Sequence, residues 1–397
     1  MMRRHTLLAA ATLSLFAATA SAVDWGGYVR VGPGQKENSG DGARCLNGGG
    51  NDADGSAAPG HGGIGRLGNE CNTYGEFGLS QTATTGGVEW KALLMTNFYT
   101  PGSDAAGINT ATNQIYLEGK GFDIAPQQTF WIGQRFYHRA DVHMDDSFYV
   151  NMSGTGAGVD GINLGVGSLS LAVFRKGDAA AGDQTGTRYN ADWEGINTNP
   201  GGKLRLTLDF TDFKGVGGHT GTGVSVQHNQ SGFLGGDNTL WLQYATGSAE
   251  PGMNFGNGSS DSDHKLWRIA DSMAWVNGPL SGQTLLHYGH AEDPNGLGGS
   301  FTSKTWSAAG RAAYAFTKNF KLQGEVGYAS TKPDGGSNEG VTKLTIAPTL
   351  TVGPNYYDRP ELRFYYSYFN MNDAYAAANG QTKKSVNAVG FQLETWF

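Results

Sequence analysis

The sequence predicts an all-β fold, a transmembrane antiparallel β-barrel, from three observations. The chain ends on VNAVGFQLETWF, where Val389, Phe391, Leu393, Thr395 and Phe397 take one side of a strand and Ala388, Gly390, Gln392, Glu394 and Trp396 the other, because side chains alternate across a strand. One face suits lipid and the other water, as in the closing strand of an outer-membrane barrel. The same alternation recurs upstream, with charge confined to one face. The amino terminus carries an export signal.

In chain order, Arg3 and Arg4 precede a mostly apolar run from Leu7 to Ala18, and Ala20-Ser21-Ala22 is a small-residue cleavage site. Residues 1–22 therefore read as a secretory signal peptide and 23–397 as one mature barrel domain. Past the signal no run of eighteen apolar residues occurs, so no helix of the mature chain spans a bilayer. Removing two arginines takes the formal charge from −7 to −9, which gives no sign of nucleic acid as a partner. Gly 63 in 397 residues is about twice the usual frequency. Aromatics make up 11% and charged residues 16%, with mean hydropathy −0.39, a polar average that alternating strands produce because half of each faces water. The mature length, 397 − 22 = 375 residues, would suit two soluble domains. No Pro-rich or Ser-rich linker, charge run or composition shift divides it, and one closed barrel accounts for it better.

The strands themselves alternate. In KLRLTLDF, Leu204, Leu206, Leu208 and Phe210 oppose Lys203, Arg205, Thr207 and Asp209; in KLTIAPTLTV, Leu344, Ile346, Leu350 and Val352 oppose Lys343, Thr345, Thr349 and Thr351. In ELRFYYSYF, Leu362, Phe364, Tyr366 and Tyr368 oppose Glu361, Arg363, Tyr365 and Ser367. A soluble sandwich alternates too, but seldom keeps one face of so many strands bare of charge. Intervening stretches such as LNGGGNDADGSAAPGHGGIG and ATGSAEPGMNFGNGSSDSD are long, polar and glycine-rich, as external barrel loops are. Cys45 and Cys71 flank the first of these. Exported chains oxidise paired thiols, so a disulfide pinning that loop is expected, with two free thiols the alternative.

Catalysis is weakly supported. His143 stands among Asp141, Asp145 and Asp146, but no second histidine sits at ligand spacing, GTGAGVDG lacks the helix a phosphate loop needs, and no GxSxG elbow occurs. Two cysteines without a histidine pair make a poor metal site. No cofactor or metal is expected. A secreted lectin is a further alternative, which would fractionate as soluble.

The block WIGQRFYHRADVHMDDSFYVNMSGTGAGVDGINLGVGSLSLA resembles the segment of the maltoporin family of carbohydrate-selective porins that runs from a strand into a third loop folded inside the barrel. RLGNECNTYGEF, VDWGGYVR, RPELRFYYSYF and the terminal ETWF are similar to other landmarks of that family, in the same order. The resemblance implies 18 strands, a homotrimer in the bacterial outer membrane, and facilitated diffusion of sugars such as maltose and maltodextrin-like oligosaccharides. The alternative is a general diffusion porin with little sugar binding.

A pyranose has apolar C–H faces and a rim of hydroxyls, so a sugar path needs aromatic planes and polar groups that exchange hydrogen bonds. Binding must also be weak enough to release. Strand parity places Tyr28, Arg30 and Asp24 opposite Trp25, Val29 and Val31, places Tyr74 and Glu76 opposite Phe77 and Leu79, and sets Trp396 beside Gln392 and Glu394. The resemblance implies an aromatic slide of Tyr28, Tyr74, Tyr357 and Trp396, with Tyr357 where tryptophan is usual. It aligns Asp237 with a further slide position that is normally phenylalanine, and it leaves the tryptophan lent by a neighbouring subunit without a counterpart after Phe98. The alternative is that these rings belong to the interfacial belt. The resemblance also implies a polar track and constriction of Arg30, Arg66, Glu76, Arg139, Asp141, His143 and Asp146, with Phe148 replacing a tyrosine that narrows the channel. An ion-pair network bracing the inward loop is the other reading of Arg139-Ala140-Asp141 and Asp145-Asp146, and the two are compatible.

Overall fold

In the computed structural model, residues 23–32, 36–37, 63–100, 108–177, 184–215, 217–293 and 302–397 are described. They build a closed antiparallel barrel of 18 strands. The first wall comprises β1 (Asp24–Val31), continued by the two-residue β2 (Lys36–Glu37), then β3 (Thr73–Thr85), β4 (Val88–Thr100), β5 (Asn109–Phe122) and β6 (Ala125–Arg135). The hairpin β7 (Ala140–Val142) and β8 (Ser147–Val150) pairs only with itself. The barrel resumes with β9 (Gly154–Asn163), β10 (Ser168–Lys176), β11 (Thr185–Asn197), β12 (Gly202–Lys214), β13 (Thr220–Phe233), β14 (Gly236–Gly247) and β15 (Lys265–Asn277). It finishes with β16 (Leu280–Glu292), β17 (Thr302–Thr317), β18 (Phe320–Pro333), β19 (Glu339–Thr351), β20 (Glu361–Met371) and β21 (Ser385–Trp396).

Closure is made by β1, which pairs with β3 on one side and with β21 on the other, Tyr28 opposite Trp396 and Arg30 opposite Glu394. The last backbone group is used as well, since the Phe397 amide donates to the Gly27 carbonyl at 3.1 Å. No sheet edge is left at the seam, which is what lets strands cross a membrane.

Burial follows the predicted parity. Leu344, Ile346 and Leu350 are exposed on the outside while Lys343, Thr345 and Thr349 are buried inside, and Leu362 and Phe364 are exposed while Glu361 and Arg363 are buried. The expectation that the outer face carries no charge is corrected at Lys304 and Lys332, which are exposed on it near the long-loop end, and at Asp271. Asp271 falls on the outward side of β15 between Leu240 and Leu286, and its carboxylate accepts from Asn238 Nδ2 at 2.9 Å. That hydrogen bond is the compensation available to a carboxylate on this face.

One end of the barrel has tight turns, such as Gly86-Gly87, and the other has the long loops. Outer-membrane barrels in general carry long loops at the outer end and short turns at the periplasmic end. Of the first glycine-rich stretch read above as an external loop, only Gly63–Gly65 lie among the described residues, and with the following residues to Asn72 they run inside the lumen, most of them buried; the second stretch also turns inward over part of its length. In the loop after β14, Ala249 and Met253 are buried, and the Gly252 carbonyl accepts from the Asn151 amide at 2.8 Å. Isolated apolar residues drive the turn, Ile64 packing with Ala329, Val341 and Phe369, and Leu67 with Ala347 and Tyr365.

Candidate functional site

The third loop, residues 136–153, enters the lumen as expected, and its own alternation explains how it sits. Val142, Met144 and Tyr149 pack on Trp241, Ala270, Leu285 and Ala309 of the wall, which leaves Asp141 and His143 on the open side. Polar backbone atoms are also tied to the wall. The Met144 amide donates to Gln283 Oε1 at 3.0 Å, and its carbonyl accepts from the Arg66 amide at 3.0 Å and from Arg311 Nη2 at 3.2 Å. The hairpin turns at Asp146, whose φ of 57° is left-handed, and the Asp145 carboxylate braces it by accepting from Ser147 Oγ at 2.5 Å. Burial pushes the Asp145 carboxyl up to about 8.

Against this loop lies a chain of ion pairs. Arg66 meets Glu70 and Glu394 at 2.8 Å each; Arg30 meets Glu70 at 3.1 Å and Asp146 at 3.0 Å. From Glu394 the chain continues to Arg359 at 2.8 Å and Arg363 at 2.5 Å, and both arginines also pair with Glu361, which binds Lys321 at 2.6 Å. A second group joins Arg311 and Lys343 to Glu325, each at 2.6 Å. Most of these groups are almost wholly removed from solvent, so each holds its neighbours in place and few of them are free to bind a passing solute.

The aromatic side is a line across neighbouring strands. Tyr74 of β3 and Tyr28 of β1 have ring centroids 6.3 Å apart, and Tyr28 stands opposite Trp396 in the β1–β21 register. The His143 ring lies 5.6 Å from Trp396 and 5.8 Å from Tyr357, which the turn between β19 and β20 carries inward. Tyr357 is 44% and Trp396 37% exposed, so these two rings keep open faces. Tyr28 and Tyr74 are committed further: the Tyr28 hydroxyl donates to Glu394 and accepts from Arg66, and the Tyr74 hydroxyl donates to Glu76 and accepts from Asn113. His143 Nε2 accepts from Arg359 Nη2 at 2.9 Å, so its proton is on Nδ1. Burial holds the imidazole below its ordinary value, in keeping with that neutral form.

The remaining track residues divide. Asp141 is exposed to the channel. Arg139 has its guanidinium 4.0 Å from the Phe136 ring and 4.0 Å from the Phe148 ring. Phe148 is 9% exposed, with its ring covered by Arg139. Asp237 lies on the inward side of β14, at the short-turn end. Among the described residues, His138, Asp192 and Glu194 come close enough to share an ion, but the Asp192 carboxylate already accepts from Arg205, Thr207 and His138. No free cysteine occurs among the described residues, and Cys45 lies outside them, as do residues 1–22.

Sequence reasoning missed Glu70, Arg359 and the Lys321–Glu361–Arg363 group. Parity had already put Glu361 and Arg363 on the inner face. The signal absent from a single strand is which charge on the next one meets it.

The LamB porin family model matches residues 23–397. The chain is 33% identical to the maltoporin of Hahella chejuensis (strain KCTC 2396) over 413 residues, covering 98% of this chain and 96% of that one. In fold it is similar to OccAB1 of Acinetobacter baumannii, with a TM-score of 0.52 at 13% identity over 94% of this chain and 96% of that one. It is similar also to OccD3 (OpdP) of Pseudomonas aeruginosa, with a TM-score of 0.50 at 12% identity over 96% and 92%.

Proposed function

The chain belongs to the LamB porin family of outer-membrane barrels, and from that premise we propose that it conducts neutral sugars down their gradient, maltodextrin-like oligosaccharides among them. The family is one of channels rather than of enzymes. The observation that carries the reading is the pair of open rings, Tyr357 and Trp396, set on either side of His143 with the exposed Asp141 nearby. Two aromatic planes accept the C–H faces of successive pyranose units, while a carboxylate accepts from hydroxyls as they pass. Tyr28 and Tyr74 extend the aromatic line toward the long-loop end. Arg30, Arg66, Glu76 and Asp146 hold the wall rigid in the polar track, so that the path does not reorganise for each sugar.

The same proposal includes cleavage after Ala22, a Cys45–Cys71 disulfide that pins the first loop, and assembly as a homotrimer. Sugar-dependent block of single-channel current in a planar bilayer, run through a panel of sugars, tests it. Concentration-dependent block by maltose and longer glucans is expected. The second reading, a general diffusion porin, is favoured by the placement of Phe148 under Arg139, and open current with no block by any sugar would decide for it.

A further inference from the structure

The outer face of the wall β15–β18 carries an arrangement that conduction does not use. Near the long-loop end, Lys304 of β17 stands directly opposite Lys332 of β18, and His290 of β16 directly opposite Lys304. Both lysines are exposed, and among the described residues no carboxylate lies within salt-bridge distance of either. The nearby Glu292 is engaged with Lys265 at 3.5 Å and His290 at 3.6 Å. Like charges directly opposite across a strand pair repel, so the row favours an anion between them.

Below it lies an aromatic layer, Trp306 with Tyr328 at 4.7 Å and Trp267 with Tyr288 at 5.2 Å, the level at which such rings meet lipid headgroups. Farther down the same two strands the wall is hollowed into an apolar groove of about 810 Å³, lined by Trp275, Gly310, Ala312, Gly324, Leu344 and Ile346. A Cβ added at Gly324 would meet nothing within 4 Å. Gly310 is six residues from Lys304, or roughly 20 Å along the strand, which is the reach of an acyl chain.

We propose that this wall binds a phosphate-bearing glycolipid of the outer leaflet, its phosphate bridging the Lys304 and Lys332 ammonium groups and an acyl chain lying in the groove. Charge complementarity selects this occupant, since the cations stand at the headgroup level and the groove at the depth of the chains.

The test is native mass spectrometry of the purified, delipidated protein with lipid A, with its dephosphorylated form, and with inorganic phosphate. Wild type is expected to retain lipid A on the order of tenfold better than the dephosphorylated lipid. Lys304→Gln/Lys332→Gln should lose that preference while remaining heat-modifiable, and Gly324→Leu should weaken retention of both lipids. Equal retention of the two lipids by wild type would overturn the proposal, whether or not the variants fold. So would an unchanged preference in the double variant, or inorganic phosphate binding as well as lipid A. Dissociation of the assembly by the lysine substitutions would instead make the wall a contact between copies, and the lipid site would fall.

Discussion

Arg66 Nη2 lies 2.8 Å from Glu394 Oε1, joining an inward-folded segment near the start of the chain to its final strand. Glu394 also receives Arg359 and Arg363. One carboxylate therefore fixes two loops and two strands at the level of the open aromatic rings. Such a hub costs desolvation energy, and what it gives in return is geometry.

Removing its charge should show this. Glu394→Gln keeps the shape but leaves Arg66, Arg359 and Arg363 sharing too little negative charge in a nearly dry site, a loss of roughly 3–5 kcal/mol. We expect a clearly lower temperature for the heat-modifiable transition on gels and a broadened distribution of single-channel conductance. A sharp wild-type conductance at unchanged thermal stability would show that the hub is not structural.

His143 gives a pH dependence. Its folded value is held below the ordinary 6.5 by burial first, so neutral imidazole is favoured. The fold carries no penalty above that value and an increasing one as pH falls below it. Protonation would also end the acceptance from Arg359 and set two cations face to face beside Trp396. Sugar affinity, read from current block, should therefore be flat above about pH 7 and weaken as pH falls through 6 and 5. His143→Gln should flatten the profile, and an identical acid loss in that variant would assign the titration elsewhere.

How far the sequence could be read depended on the range of the interaction. The faces of β19, β20 and β21 were legible because parity is local: Lys343 against Leu344, Arg363 against Phe364, Glu394 against Leu393. The inward course of Gly63–Asn72 was not, because glycine-rich polar chain looks external until Ile64 and Leu67 find apolar partners on distant strands. Asp271 escaped for a related reason, since its compensating Asn238 is on another strand. Tyr357 lies on a turn without alternation, and only the resemblance to a family pointed to it.

The two terminal aromatics separate lumen from lipid. Trp396 has the Arg359 guanidinium 4.6 Å over its ring and His143 against it. Phe397 instead packs outside with Trp25 at 5.0 Å and Phe77 at 6.0 Å. Trp396→Ala should keep the heat-modifiable assembly and weaken sugar block by on the order of 1 kcal/mol of lost stacking. Phe397→Ala should impair assembly while the channels that form bind sugar normally. The reverse pattern would mean that the last strand is inverted.

Gly327 tests the inward segment. It is on the inner face of β18, and a Cβ there would stand 2.6 Å from Ile64 Cα, with the Ile64 carbonyl closer still. Backbone cannot yield as the tip of a flexible side chain does, so Gly327→Val should drive Ile64 off the wall. The Lys343 bonds to the Gly65 and Leu67 carbonyls and the Leu67 amide bond to Glu325 would go with it. The barrel itself is closed by main-chain ladders that this change does not touch. We therefore expect a folded, heat-modifiable protein with larger and noisier single-channel conductance, and faster reaction of a cysteine introduced at Leu67 with a water-soluble maleimide. Conductance and labelling equal to wild type would show that the segment does not occupy the lumen beside Gly327.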